Sequence, residues 1–215
     1  MPAAVHAGRP LATEDAGVLE RGACEWESFA ASTRTQASPD AQTLSSQVGC
    51  GVGASTQLAL AAARQANAGA RIHVVALAGK SGLIEGTPST PALTLAWVLA
   101  GTRTPSGSLW HEQTALNIVV SQPLAGALTG HANLGWTRSR SARQSAATWN
   151  LAAEYALANG VDVMAERYGQ QHGAPWFGTG LRLAASARLV VDASYARQSG
   201  RAKARLATLG AKLQF

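Results

Sequence analysis

Apolar and polar residues alternate along most of this chain. In residues 148–157, Trp149, Leu151, Ala153, Tyr155 and Leu157 fall on one parity, with Thr148, Asn150, Ala152 and Glu154 on the other. That period of two marks a two-faced β-strand. The same pattern recurs in 128–136, 177–185 and 207–215, each with mainly apolar residues on one side and mainly Gly, polar or charged residues on the other. Turn-forming residues interrupt the alternation at 38–40, 53–55, 67–69, 87–89, 105–107, 124–126, 139–145, 159–160, 172–175, 187–188 and 199–200. These breaks divide residues 23–215 into about twelve strands of about ten residues. Helical periodicity is almost absent.

Alternation does not say which face is the core. In a soluble sandwich or barrel the large apolar side points inward. An outer-membrane barrel inverts this, with apolar residues toward lipid and polar or small ones toward the lumen. Strands of about ten residues match tilted membrane-crossing strands better than the five or six usual in globular sheets. Aromatic residues, among them Trp26, Trp110, Trp136, Trp149, Tyr168, Trp176 and Phe215, fall near predicted strand ends, as in interfacial girdles. With the N-terminus in the periplasm, Arg34, Arg64, Arg71, Arg103, Arg138, Arg140, Arg143, Arg167, Arg197, Arg201, Lys203 and Arg205 all fall at outer ends or loops. The reading that follows is an all-β, antiparallel up-and-down transmembrane β-barrel of about twelve strands in the bacterial outer membrane. A soluble all-β domain is the alternative.

Composition narrows the functions open to the chain. Its 215 residues are 47% hydrophobic and 14% charged, which excludes a disordered chain. No apolar run reaches 18 residues, so no helix is expected to span a bilayer. The formal net charge of +6 invites a nucleic-acid reading. No basic helix or stacking platform accompanies it, and the basic residues sit where lipopolysaccharide phosphates would pair with guanidinium groups. A rim of Arg138, Arg140, Arg143, Arg197, Arg201 and Lys203 is expected to face that lipid. Residues 1–7 resemble the end of a secretory signal peptide, with Val5 and Ala7 at small-residue positions before Gly8; a flexible Ala-rich start is the alternative. Residues 8–22 lack alternation and read as a periplasmic N-terminal lead to the barrel of residues 23–215.

Parity also sorts candidate chemistry. Glu25, Glu27, Lys80, His131, Asn133, Glu154, Asp162, Glu166, Arg182, Asp192 and Lys212 are expected to point into the lumen. Charges of both signs in a narrow barrel pair, and either block it or line a small polar path. Twelve strands lie between the filled eight-stranded barrels and the open porins of sixteen, which predicts a narrow or partly occluded pore. Cys24 and Cys50 come directly opposite each other in a first hairpin centred near Ala37. A cross-strand disulfide is geometrically open to them, as are two buried free thiols. The chain holds no P-loop, no Cys-x-x-Cys, no His-Glu-x-x-His and no Gly-x-Ser-x-Gly, and no cofactor or metal site is expected. His131-Ala132-Asn133 is the most enzyme-like element, yet its polar side chains share the lumenal parity, so a hydrogen-bond network is expected there and no enzyme.

The ending Leu209-Gly210-Ala211-Lys212-Leu213-Gln214-Phe215 resembles the last strand of bacterial outer-membrane barrels, an ending read by their assembly machinery. In such a strand Lys212 comes within reach of Glu25 or Glu27 across the seam. The lead Arg9-Pro10-Leu11-Ala12-Thr13-Glu14-Asp15-Ala16, the Glu25-Trp26-Glu27 entering the first strand, the later His131-Ala132-Asn133-Leu134-Gly135-Trp136 and the strand carrying Lys80 resemble a family of outer-membrane transporter-like barrels named for the meta-pathway of phenol degradation. The resemblance implies a channel or transporter for small molecules, including aromatic or hydrophobic ones. The alternatives are a non-transporting structural or lipopolysaccharide-interacting barrel and a lipid-acting barrel enzyme.

Overall fold

The computed structural model describes residues 10–35, 40–67, 70–103, 107–200 and 203–215. Residues 1–7 and Arg201, both singled out above, lie outside these. Twelve strands follow one another: β1 (Cys24–Arg34), β2 (Ala41–Gly53), β3 (Thr56–Asn67), β4 (Ala70–Ile84), β5 (Ala92–Arg103), β6 (Trp110–Ala125), β7 (Leu128–Ser139), β8 (Gln144–Ala158), β9 (Val161–Gln170), β10 (Trp176–Ala184), β11 (Leu189–Gln198) and β12 (Arg205–Gln214). The turn segments read from the sequence fall at the junctions between them. Each strand pairs antiparallel with its sequence neighbours, and β1 closes against β12, from Glu25 opposite Gln214 to Arg34 opposite Arg205. Closure leaves no unpaired edge, which a lipid environment requires. Pro123 is tolerated in β6 because it lies at a register shift near the strand's end.

The two ends of the barrel differ. At one end β2–β3, β6–β7 and β8–β9 are joined by two residues each, and both β1 begins and β12 finishes there. At the other, six residues separate β1 from β2, β5 from β6 and β11 from β12, five β9 from β10, four β7 from β8 and two β3 from β4, while the first end also carries seven residues between β4 and β5 and four between β10 and β11. The second end thus has the longer connections on the whole, as the outer end of outer-membrane barrels does. These are called the turn end and the loop end.

The faces are inside out relative to a soluble protein. Leu60, Leu134 and Leu209 are about two-thirds exposed, whereas Asn133, Lys212 and Arg182 are almost fully buried. Large apolar side chains, aliphatic on most strands and Trp26 on β1, cover the exterior, and the interior packs small residues such as Ala16, Ala96 and Val119 among polar groups. Burying charges while exposing leucine is favourable only where the exterior meets hydrocarbon and the inward charges are paired.

Candidate functional site

The register carries the eleven side chains expected at the lumen onto one inner surface. Across the β1–β12 seam, Lys212 Nζ lies 2.9 Å from Glu27 Oε1 and 3.5 Å from Glu25 Oε2. Gln47 Nε2 donates to the second oxygen of Glu27 at 2.7 Å. Arg182 stands opposite Asp162 on β9 and Asp192 on β11; its Nε donates to Asp162 Oδ2 at 2.9 Å and its Nη2 to Glu154. His131 Nδ1 lies 2.8 Å from Ser121 Oγ, and its Nε2 is 4.0 Å from Glu154 Oε2. Asn133, Glu166 and Lys80 bind neither each other nor these pairs. They reach for the N-terminal segment.

That segment, expected as a periplasmic lead, runs inside the barrel from residue 10 onward. It has no regular secondary structure, so its backbone groups need partners from elsewhere, and the wall supplies them strand by strand. Near the turn end, Gly22 N–H donates to Gly51 O and Gly51 N–H to Ala23 O, both at 2.9 Å. Leu19 N–H reaches Gln57 Oε1 on β3 at 2.8 Å, and Lys80 Nζ on β4 donates to Asp15 O at 2.7 Å. Thr94 Oγ1 on β5 donates to Ala16 O at 2.6 Å, while Ala16 N–H donates to Ser121 Oγ on β6 at 2.8 Å. Asn133 on β7 clamps Glu14 from both sides, accepting its N–H at 2.8 Å and donating to its carbonyl at 2.9 Å. Glu166 on β9 accepts Ala12 N–H at 3.1 Å, Thr13 N–H at 2.9 Å and the Thr13 hydroxyl at 2.8 Å. Asn150 on β8 donates to Ala12 O at 2.8 Å.

The seated segment explains several residues that parity alone left without a role. Thr94, Ser121, Gln57 and Asn150 were not singled out by sequence, yet each binds its backbone. Because Ser121 Oγ already accepts an N–H from Ala16, its own proton is free for His131 Nδ1, which fits a neutral imidazole. Enclosure by the wall pushes the Glu14 carboxyl above the ordinary carboxylate value, with Lys80, 4.0 Å away, pulling it partly back. Asn133→Ala removes both bonds to Glu14 and leaves a buried N–H and C=O unpaired, a loss of about 1–3 kcal/mol. We expect residues 10–22 to become cleavable in the folded barrel of that variant, without loss of heat-modifiable migration on gels. Limited proteolysis with mass spectrometry of the products measures it.

The segment binds mainly β3 to β9 and leaves space beside it toward β1, β2 and β12. A cavity of about 610 Å³ opens between residues 17–20 of the segment, the starts of β1 and β3 and the end of β12, with Arg188, Lys212 and Phe215 in its lining. A second, of about 280 Å³, lies between residues 11–15 and the inner face of β1 to β5, with Glu27, Phe29 and Gln47. Both are lined by Asp15, Glu25, Gln57 and Lys80.

The remaining predicted residues lie at the ends. Cys24 and Cys50 are opposite in register and joined in a disulfide. Phe215 is exposed outside the barrel, its backbone exchanging two hydrogen bonds with Cys24 at 2.9 and 3.0 Å. Arg138 and Arg197 are exposed at the loop ends of β7 and β11, Arg140 and Arg143 lie in the β7–β8 connection, and Lys203 precedes β12.

Twelve closed antiparallel strands, an apolar exterior and a polar lumen crossed by the chain's own N-terminal segment define an outer-membrane β-barrel. The chain belongs to the family described as Uncharacterised conserved protein UCP029691, whose model matches residues 1–215. No curated protein matches it. Among solved structures it is similar to the KdgM porin, with a TM-score of 0.64 at 6% identity over 88% of this chain and 99% of that one. It is also similar to the COG4313 outer membrane channel from Pseudomonas putida F1, with a TM-score of 0.62 at 11% identity over 94% and 98%. The outer membrane phospholipase A from Escherichia coli aligns with a TM-score of 0.53 at 8% identity over 97% and 94%. At these identities the likeness is one of fold. That fold and the apolar exterior together place the barrel in the outer membrane.

Proposed function

We propose that this barrel is a channel for small molecules, which pass along the β1–β4 side of the lumen beside the seated N-terminal segment. The observation that carries the reading is the pair of cavities on either side of Asp15, Glu25, Gln57 and Lys80, a constriction built of charged and polar side chains. The charge of the path gives a preference. Among the described strand residues named at the lumen, six acids (Glu25, Glu27, Glu154, Asp162, Glu166, Asp192) face three bases (Lys80, Arg182, Lys212), a formal charge of −3 that Glu14 and Asp15 take to −5. The whole chain carries +6, so bases lie outside and acids inside. A low-dielectric wall focuses such a field, favouring neutral and cationic solutes. The similar KdgM porin is known in complex with disordered oligogalacturonate; the acid excess here disfavours such a polyanion. The resemblance of the lead and the His131–Trp136 stretch to the phenol meta-pathway family favours small aromatic solutes among the neutral ones.

Refolded protein in planar bilayers under a salt gradient tests this. We expect small single-channel currents with a reversal potential of cation-selective sign. Absence of conductance together with absence of solute uptake into liposomes refutes the channel and leaves the sealed structural barrel. Conductance with anion preference keeps the channel and removes the charge argument.

The same placement carries the partners. The exposed loop-end bases, including Arg138, Arg140, Arg143 and Lys203, face the lipopolysaccharide leaflet, and β12 with Phe215 is the strand offered to the barrel-assembly machinery. A lipid-acting enzyme is the weaker reading. Ser121 and His131 are in contact, but both are buried inside the wall and the Ser121 hydroxyl is engaged by Ala16.

A further inference from the structure

The exterior arginines at the loop end are in register with one another. Arg197 on β11 lies directly opposite Arg205 on β12, and Arg205 directly opposite Arg34 on β1. Phe177 on β10 lies opposite both Arg197 and Arg167 on β9, so Arg167 continues the row with one aromatic ring between. All four arginines are exposed and lie on the outward parity. At a strand spacing of about 4.8 Å the row from Arg34 to Arg167 spans about 19 Å.

Like charges directly opposite one another on a sheet face are destabilising. Arg34 has Asp40, whose Oδ2 accepts from its Nε at 2.8 Å. Among the described residues no carboxylate forms an ion pair with Arg167, Arg197 or Arg205. Two residues nearer the turn end, the same face carries Tyr195 opposite Ala207, and then Ala193 opposite Leu209. The row therefore sits at the loop-side border of the apolar band. The outward parity near the turn end holds Leu213, Leu189, Leu183 and Val52 and, among the described strand residues, no charge. A fold needing charge only for solubility has no use for so one-sided an array of planar donors.

We propose that Arg34, Arg205, Arg197 and Arg167 bind the phosphates of one lipopolysaccharide headgroup in the outer leaflet. Each guanidinium offers a two-pronged donor face matched to phosphate oxygens. A headgroup with two phosphates neutralises the cross-strand repulsion while its acyl chains lie on the apolar face below. Phe177, between Arg167 and Arg197, gives the sugar ring a surface to rest on. The proposal rests on the loop end facing outward and is independent of whether the lumen conducts.

Native mass spectrometry of the full refolded chain in detergent, with added lipid A, dephosphorylated lipid A or phosphatidylglycerol, provides the test. We expect lipid A to remain bound, and dephosphorylated lipid A and phosphatidylglycerol to bind about tenfold more weakly, since both lack a pair of phosphates for the arginine forks. The variant R34Q/R197Q/R205Q is expected to lose lipid A binding to a similar degree. The control R64Q/R71Q/R103Q, which removes the same charge from β3, β4 and β5, outside the named rim, retains it. Heat-modifiable migration reports folding of both variants, and the dephosphorylated-lipid arm decides the matter on unaltered protein. Equal binding of lipid A and its dephosphorylated form overturns the proposal. So does an equal loss in both variants, or equal affinity for phosphatidylglycerol.

Discussion

Gly51→Val is expected to drive the N-terminal segment out of the barrel and raise single-channel conductance several-fold. A Cβ at residue 51 would lie 2.0 Å from the Glu20 carbonyl oxygen and 2.4 Å from that of Leu19, distances no real Cβ adopts. One of the two backbones must move. Residue 51 belongs to β2, which is laddered to both β1 and β3, whereas residues 19–20 are tied locally by a few hydrogen bonds. Overpacking moves the side that resists less, and here that is the segment. Once its root is displaced, the clamps at Asn133 and Glu166 hold a tethered peptide in place of a seated one. Gly49→Ala is the control, because its Cβ would meet Ala59 Cβ at 3.3 Å and Leu58 O at 3.7 Å and nothing of the segment. Conductance and protease sensitivity unchanged in Gly51→Val, with the barrel folded, would show that the segment does not limit the pore.

The barrel was legible in the sequence because period two survives from residue 24 to the last strand and because the breaks are chemically marked. Even the first hairpin could be registered: a centre near Ala37 puts residue 24 opposite residue 50, where the structure pairs them. Which face is inside was not legible from alternation, since Leu134 exposed and Asn133 buried have the same pattern in either solution. Strand length near ten residues, aromatic residues near strand ends and the vertical distribution of charge decided it, with the alternation ending on Phe215 in support. The seat of the N-terminal segment was not legible at all. Its hydrogen bonds join backbone groups, which carry no residue signature, to common side chains such as Thr94 and Ser121. One signal was present and unread. Glycine on the lumenal parity leaves room for something else, and a Cβ at Gly180 would fall 2.9 Å from Pro10 as one at Gly51 falls against Glu20.

Arg182→Met is expected to destabilise the barrel by about 3–5 kcal/mol, toward the lower figure because its partners keep some contact with lumenal water. The guanidinium is almost fully buried, bonded to Asp162 and Glu154, and in register with Asp192. The partners' side chains are 23% and 17% exposed, too little for water to replace a lost counter-charge. Removing one cation strands two carboxylates in a wall that already holds an acid excess, so the cost exceeds that of the contacts themselves. The combination of Arg182→Met with Asp162→Asn, Glu154→Gln and Asp192→Asn removes the cation with both bonded carboxylates and the acid in register with it, and replacing a buried ion cluster by neutral groups of similar volume is close to neutral. Urea unfolding in lipid vesicles, followed by tryptophan fluorescence and heat-modifiable migration, should give a midpoint well below wild type for the single variant and near it for the quadruple. The segment's backbone is bound by Glu166 and Asn133, outside this cluster, so the quadruple should keep residues 10–22 protected from protease. A single variant as stable as the parent would mean that the lumenal carboxylates do not need Arg182, and with it would go the account of the interior as a set of charges that must be paired to be buried.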